Sequence, residues 1–217
     1  MTVEQKVISI QEKLKDLAFE EIGEIFIFSS DYYGAYLLGL VDDFLEAEQI
    51  PEEIASALVP HFISWAVFSH RLSDEKKSIF EFYLDSPKYK SRMKPKVHTL
   101  ISEWKYALPG VYYIEEFLGE RVLVLNDLIL MKERLVGVYN EIYHQPRESD
   151  LLIGYLLPAG DGTYSPIIDF FHIPAIHKKQ AANRIIEFYN KAETTDYEFF
   201  ARQYPKLLSI ISNVLKK

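Results

Sequence analysis

Pro109-Gly110-Val111-Tyr112-Tyr113-Ile114-Glu115-Glu116-Phe117 is where the chain changes its period, and the fold class follows from that change. The Pro-Gly pair is a turn signal, and the runs after it are short and rich in Val, Ile, Leu, Tyr and Phe, residues that suit a pleated sheet. Strands are expected near Val111 to Phe117, Arg121 to Asn126, Leu135 to Tyr139, Leu151 to Leu157 and Ile167 to His172. Gly119, the charged Lys132-Glu133-Arg134 and Gly160-Asp161-Gly162 separate them, and Leu128 to Met131 reads as either a turn or an extra strand. Strands so closely spaced predict a small, curled antiparallel sheet or barrel.

Upstream of Pro109 the apolar period is helical. Val3, Val7, Ile10, Leu14 and Leu17 recur at spacings of four and three, which places them on one stripe. A second helix is expected from Asp31 to Ala47, weakened by Gly34 and Gly39. Pro51 suits the start of a third, which carries Ile54, Leu58, Phe62 and Trp65 and which Pro60 should kink or split. Ser73 can cap a short helix bearing Ile79, Phe82 and Tyr83, and a last one runs from Pro95 to Tyr106.

From Ala175 the helical period returns, first with Ala182, Ile185, Ile186 and Tyr189, then with Leu207, Leu208, Ile211, Val214 and Leu215 behind Pro205. The chain thus divides into a helical region at 1–107, a small antiparallel β unit at 108–174 and a closing helical pair at 175–217. No Gly-, Ser- or Pro-rich linker parts them, so the helices should pack on the sheet. The fold class is α+β.

With 24 Lys+Arg against 32 Asp+Glu the net charge is −8, which disfavours whole-surface attraction to nucleic acid or anionic lipid. There is no cysteine, so disulfides, thiolate nucleophiles, iron-sulfur clusters and Cys-ligated zinc are excluded from this chain. Met1-Thr2-Val3-Glu4-Gln5-Lys6 lacks the pattern of a signal peptide, and charges with Pro60 and His61 interrupt the richest apolar stretch. A cytoplasmic location without membrane contact is the expectation.

Between residues 62 and 157 several landmarks fall in a recognisable order. Phe62-Ile63-Ser64-Trp65-Ala66-Val67-Phe68 lies on a helix, and Trp104 precedes Pro109-Gly110-Val111-Tyr112. Asn126-Asp127-Leu128 follows a strand, and Asp150-Leu151-Leu152-Ile153-Gly154 opens another. This order resembles the region that precedes the metal-binding tail in uncharacterised bacterial proteins of the SEC-C motif group. It covers under half of the chain. The Cys-rich zinc site that defines the group is absent, so zinc binding is not carried over, and the group implies no reaction. A variant without the tail, a separate family sharing the preceding module and a chance likeness stay open.

Local motifs of catalysis are missing. No Gly-rich loop ends in Lys-Ser or Lys-Thr, no Gly-x-Ser-x-Gly elbow presents a serine, and no His-Glu-x-x-His pairs two imidazoles on one helical face. Gly160-Asp161-Gly162 is simplest as a turn, since the residues after it do not continue a calcium loop. Six histidines are present, and only His172 and His177, flanking Ile173-Pro174-Ala175-Ile176, could meet on a metal, and then only across a tight turn. A half-buried strand residue and an exposed helix-start residue is the preferred account of that pair. The carboxylate pairs Asp42-Asp43, Glu52-Glu53 and Glu115-Glu116 are read as solvated. No catalytic residue, metal or cofactor is therefore assigned.

One local charge asymmetry stands out. Lys88-Tyr89-Lys90-Ser91-Arg92-Met93-Lys94-Pro95-Lys96 holds five cations and no acid, leaving 24 − 5 = 19 cations for the 32 acids elsewhere. Read as a loop entering the Pro95 helix, it could clamp phosphates through Lys88, Lys90, Arg92, Lys94 and Lys96 and stack a base on Tyr89. The plainer account is a solvated basic loop paired with acids such as Glu103 or Asp85.

Fourteen Phe, 15 Tyr and two Trp are more aromatic surface than a core of this size needs. Adjacent pairs such as Tyr32-Tyr33, Tyr112-Tyr113 and Phe199-Phe200 cannot both face one core, so they either reach the surface or are sandwiched between layers. The first functional expectation is a non-catalytic protein-protein interaction module, contacting a partner or a second copy of itself. The alternatives are a nucleic-acid or phosphate-ligand binder acting through 88–96, and an enzyme whose site lies between the helical and sheet parts.

Overall fold

The computed structural model describes residues 10–72 and 76–216. Among them run α1 (Ile10–Ala47), α2 (Glu52–Phe68), α3 (Ile79–Asp85), α4 (Pro87–Arg92), α5 (Pro95–Glu103) and a single 3-10 turn at Trp104–Tyr106. Strands β1 (Pro109–Gly119), β2 (Val122–Asp127), β3 (Glu133–Gly137), β4 (Leu151–Pro158), β5 (Tyr164–Pro166) and β6 (Phe171–Ile173) follow, and α6 (Ala175–Asn190) and α7 (Asp196–Leu215) close the chain. The expected α+β order, with a helical first half, a curled sheet and two closing helices, is what the chain forms. Val3, Val7 and Ser73 lie outside the described residues.

Where two helices were expected before Ala47, one helix of 38 residues spans both. Its buried stripe includes Ala18, Glu21, Ile25, Ser29, Leu37 and Phe44, spaced by threes, fours and their sums. Two polar members hide the stripe from a reading based on hydrophobicity. Ser29 turns its hydroxyl back onto the Ile25 carbonyl at 2.7 Å, and Glu21 meets Arg92 at 2.7 Å, so each enters the interior already paired. Pro60 likewise fails to split α2, which runs unbroken from Glu52 to Phe68. The short helix after it is capped at Ser78, whose hydroxyl accepts from Glu81 N while the Glu81 carboxylate accepts from Ser78 N, a reciprocal capping box.

The segment read as a basic loop is in part helical. Ser86 caps α4 with Pro87 at its first position, a start signal strong enough to fold Pro87–Arg92 before the chain extends through Met93 and Lys94 into α5.

The sheet closes on itself. Strands β1, β2, β3, β5 and β4 follow one another around a five-stranded barrel that the β1–β4 pairing seals, with β6 added to β4 beyond β5. Every pairing is antiparallel except β3 with β5, which touch at Val136 and Tyr164. The expected last strand, Ile167 to His172, forms only at its end, where Phe171 and His172 enter β6; Ile167 to Phe170 is the bend between β5 and β6, in which Ile167 N still bonds Tyr155 O at 3.0 Å and Phe170 swings into the barrel. Gly154 makes that possible, because a Cβ there would lie 2.7 Å from the Phe170 ring. Leu128 to Met131 is a turn, tied by Ile129 N and Leu130 N to the Asp127 carboxylate.

Alternation on β4 builds two cores. Leu152 and Leu156 point into the barrel with Tyr112, Ile114, Leu123, Leu125 and Val136. Leu151, Ile153, Tyr155 and Leu157 face outward, where α2, α7 and their neighbours cover them. Phe199 and Phe200 are both fully buried, the sandwiched outcome for an adjacent aromatic pair, whereas Tyr32 on α1 is 73% exposed. Pro205, expected at the start of the last helix, sits inside α7, which begins instead behind the Thr195 cap.

Candidate functional site

Three clefts are large enough to hold a small molecule. One, of about 350 Å³, opens at a barrel mouth beside Tyr112, Asp127, Arg134 and Tyr164, and another, of about 650 Å³, lies between α2 and α7 beside Trp65, Arg71 and Arg202. The third, of about 710 Å³, lies between α2 and the barrel, and of the three it alone has lining residues, His61 and His172, that carry a buried side-chain nitrogen with no hydrogen-bond partner among the described residues.

Its walls come from three places. The middle of α2 contributes Ala57, Pro60 and His61, the segment after β3 contributes Asn140 to Ile142 and His144, and the bend between β5 and β6 with the start of β6 contributes Ile167 to His172. The two non-helical walls are tied together. Asn140 Nδ2 donates to the Pro166 carbonyl at 3.2 Å, and Asp169 Oδ2 accepts from His144 N at 3.0 Å and pairs with His144 Nδ1 at 2.6 Å. Phe170 N holds the other carboxylate oxygen at 2.9 Å. Asp169 is thus fixed in place and turned toward an imidazole.

The two other imidazoles are the unusual feature. His61 is 4% exposed, its ring meets Phe171 edge to face at 6.2 Å, and its Nδ1 is unpartnered. His172 comes from the strand opposite, with Nε2 buried and equally unpartnered. Burial pushes the His61 pKa down to about 4; nearby Asp169 opposes the shift and His172 adds to it. Burial also lowers that of His172, against the pull of Asp169 and Asp150. Both rings are therefore neutral near pH 7, each with one nitrogen able to accept and one to donate.

Chemically, the cleft is an apolar trough of Ile142, Ile167, Ile168, Phe170 and Phe171 with a polar end formed by His61, His172 and the His144–Asp169 pair. Among the described residues no group of three or more His, Asp or Glu side chains stands together to hold a metal ion, and His172 serves this cleft.

The residues of the basic segment go elsewhere. Tyr89 is fully buried, its ring tilted against Tyr83 with centroids 4.9 Å apart and its hydroxyl 3.0 Å from His98 Nδ1, so it offers no face to a base. Arg92 reaches Glu21 at 2.7 Å and Glu24 at 3.5 Å, Lys90 reaches Asp85 at 2.9 Å, and Lys88 lies 3.7 Å from Glu24. The acids that compensate the segment are thus mainly those of α1, together with Asp85. Lys94 and Lys96 are exposed at the start of α5. Glu115 and Glu116 are both solvent-facing, and Asp127, though buried, caps its turn. Gly160 and Gly162 hold φ near +87° and +85°, as a turn requires.

Of the cleft residues only His172 was singled out by sequence. His61 stood in plain view inside an apolar helix beside Pro60, where a lone polar residue reads as an interruption, and Asp169 and His144 are separated by 25 positions. No family model, curated protein or solved structure matches the chain, so the roles of these side chains rest on their geometry.

Proposed function

We propose that the protein binds a small molecule with an apolar body and one polar end in the cleft between α2 and the barrel. The observation that carries this is the cleft itself, an apolar trough of about 710 Å³ between α2 and the barrel, lined at one end by His61, His172 and the His144–Asp169 pair. Binding is preferred to turnover because the lining holds no hydroxyl, thiol or amine nucleophile, although the cleft occupies the place between helices and sheet where the enzymatic alternative would put its site.

The test is titration with Nile red, a neutral dye that brightens in apolar surroundings. Wild type is expected to bind it saturably, and Ala57→Trp, which places a large ring from the exposed lip of α2 into the trough, to lose that binding while keeping its helical circular dichroism. Dye binding that ignores Ala57→Trp would reject the cleft.

A second reading, contact with another protein or a second copy, is favoured by one observation: α1 leaves Ile27, Tyr32, Tyr36 and Leu38 exposed, Tyr32 by 73% and Leu38 by 67%. Light scattering of wild type and Leu38→Glu tests it, and a wild-type molecular mass equal to the monomer's argues against self-association.

A further inference from the structure

We propose that the mouth of the barrel is a second binding site, one that takes a zwitterion of the α-amino acid class, with its carboxylate on Arg134 and its ammonium on Asp127. Strand register brings the residues together. Tyr112 stands directly opposite Asp127, and Arg134 stands opposite Leu125, which alternation puts on the same inward face as Asp127. Tyr164, at the start of β5, pairs with Val136, two places on from Arg134, and with Pro158. These side chains gather at one end of the barrel, where they line a cleft of about 350 Å³, at the small end for a ligand site.

The charges in this mouth are opposite, yet held apart. Arg134 donates to the Tyr164 hydroxyl and lies over the Tyr164 ring at 4.5 Å, and it makes no ion pair with a carboxylate among the described residues. Asp127 is pinned from its own turn, with Oδ1 accepting from Ile129 N at 2.9 Å and Leu130 N at 2.8 Å, and Oδ2 has no partner among the described residues. Both charges reach the Tyr112 hydroxyl: burial pushes its pKa well up, Asp127 adds to the shift and Arg134 opposes it. That hydroxyl stays a donor and is itself without a partner among the described residues, although Tyr112 is only 3% exposed. Gly110 aims it, because the ring lies back over the glycine where a Cβ would collide with the hydroxyl, and Pro109 next in the chain lines the cleft.

An arginine with donors to spare, a buried hydroxyl and a carboxylate with a bare oxygen complement a group that carries both charges. A zwitterion brings no net charge into a half-buried mouth, whereas either ion alone would meet one like charge there. Burial raises the pKa of Asp127, and an ammonium in contact with it favours the ionised form again. The side chain of the ligand then lies along Leu108, Leu130, Leu156 and Pro158.

Calorimetric titration with L-phenylalanine, 3-phenylpropanoate and phenethylamine near neutral pH tests the class, since the last two each keep one of the two charges. L-Phenylalanine is expected to bind about tenfold more tightly than either, the factor that corresponds to about 1.4 kcal/mol. Arg134→Gln should remove the advantage over phenethylamine. Tyr112→Phe, which takes away only a hydroxyl, should reduce it in part and leave the melting temperature unchanged. Ala57→Trp, in the cleft between α2 and the barrel, should leave phenylalanine binding as it was. Either analogue binding as well as L-phenylalanine overturns the zwitterion, and binding abolished by Ala57→Trp overturns the barrel mouth. No saturable heat from the wild type with L-phenylalanine overturns both, while Nile red binding in the other cleft stands apart from all three results. If Arg134→Gln does not fold, an unaltered affinity in Tyr112→Phe is enough to reject the site.

Discussion

Trp65 shares its indole hydrogen between the carbonyls of Phe200 and Ala201, 3.1 Å from each, and Ala201 is the residue whose carbonyl Pro205, four positions on, cannot serve. A proline inside α7 is thereby tolerated because α2 supplies the missing donor from outside, and the two helices are locked in register at that point. Trp65→Phe should cost about 1 to 3 kcal/mol in urea unfolding, through the orphaned carbonyl and the lost indole packing. The cost should shrink by about 1 kcal/mol in a Pro205→Ala background, where the backbone N–H restored at that position can take over the carbonyl. Additive costs in the double-mutant cycle would refute the compensation.

Arg92 belongs to the fold more than to a binding surface. It bridges Glu21 on α1 and the Tyr83 hydroxyl at 2.7 Å each, and Glu21 is only 7% exposed. Removing the cation leaves a buried carboxylate with the tyrosine as its remaining partner, so Arg92→Ala should destabilise by about 2 to 4 kcal/mol. Lys94→Ala and Lys96→Ala, at exposed positions, should stay within about 0.5 kcal/mol. Thermal melts of the three single variants separate the cases, and equal effects would return the segment to a shared role in anion binding.

What could be read from the residues, and what could not, divides along a physical line. The switch of period at Pro109-Gly110 located the sheet, and the continuous apolar run Leu151 to Leu157 placed a strand whose both faces are buried, because such patterns are local. Closure of the barrel depends on pairings between strands distant in sequence, β1 with β4 and Val136 of β3 with Tyr164 of β5, which no local pattern announces. The continuity of α1 escaped notice because Glu21 and Ser29 look like solvent residues until their partners Arg92 and the Ile25 carbonyl are known. The site was hidden for the same reason: His61, His144, Asp169 and His172 come from three separate segments, and each alone is an ordinary residue.

Gly154 sets the inner wall of the cleft indirectly. A methyl there would meet the Phe170 ring at 2.7 Å, and Phe170 bridges the barrel interior and the cleft lining. Gly154→Ala should cost about 1 to 3 kcal/mol by overpacking. It should also weaken Nile red binding, since the ring can yield only by moving. Adding Phe170→Leu should recover part of the stability, which differential scanning calorimetry would read as a partial return of Tm. A melting point for Gly154→Ala equal to wild type would show that the ring is free to give way.

His61 makes stability depend on pH, with a definite sign. Burial holds its folded pKa at about 4, below the ordinary value of 6.5, so between those limits the unfolded chain takes up a proton that the folded one refuses. Folding is then opposed increasingly as pH falls: the stability is whole above pH 6.5 and is drained progressively toward pH 4, with a limiting slope of about 1.4 kcal/mol per pH unit and a total of about 3 kcal/mol. His172 and His70, also lowered by burial, act in the same direction, while carboxylates lowered by ion pairs, such as Asp161 with Lys15, add a loss of their own at the acid end. The difference between variants isolates His61. His61→Leu keeps the volume apolar and removes the titration, so urea unfolding at a series of pH values should give parallel lines above pH 6.5 and a shallower decline for the variant below it. If the two proteins lose stability at the same rate down to pH 4, the imidazole is not held neutral in the folded state.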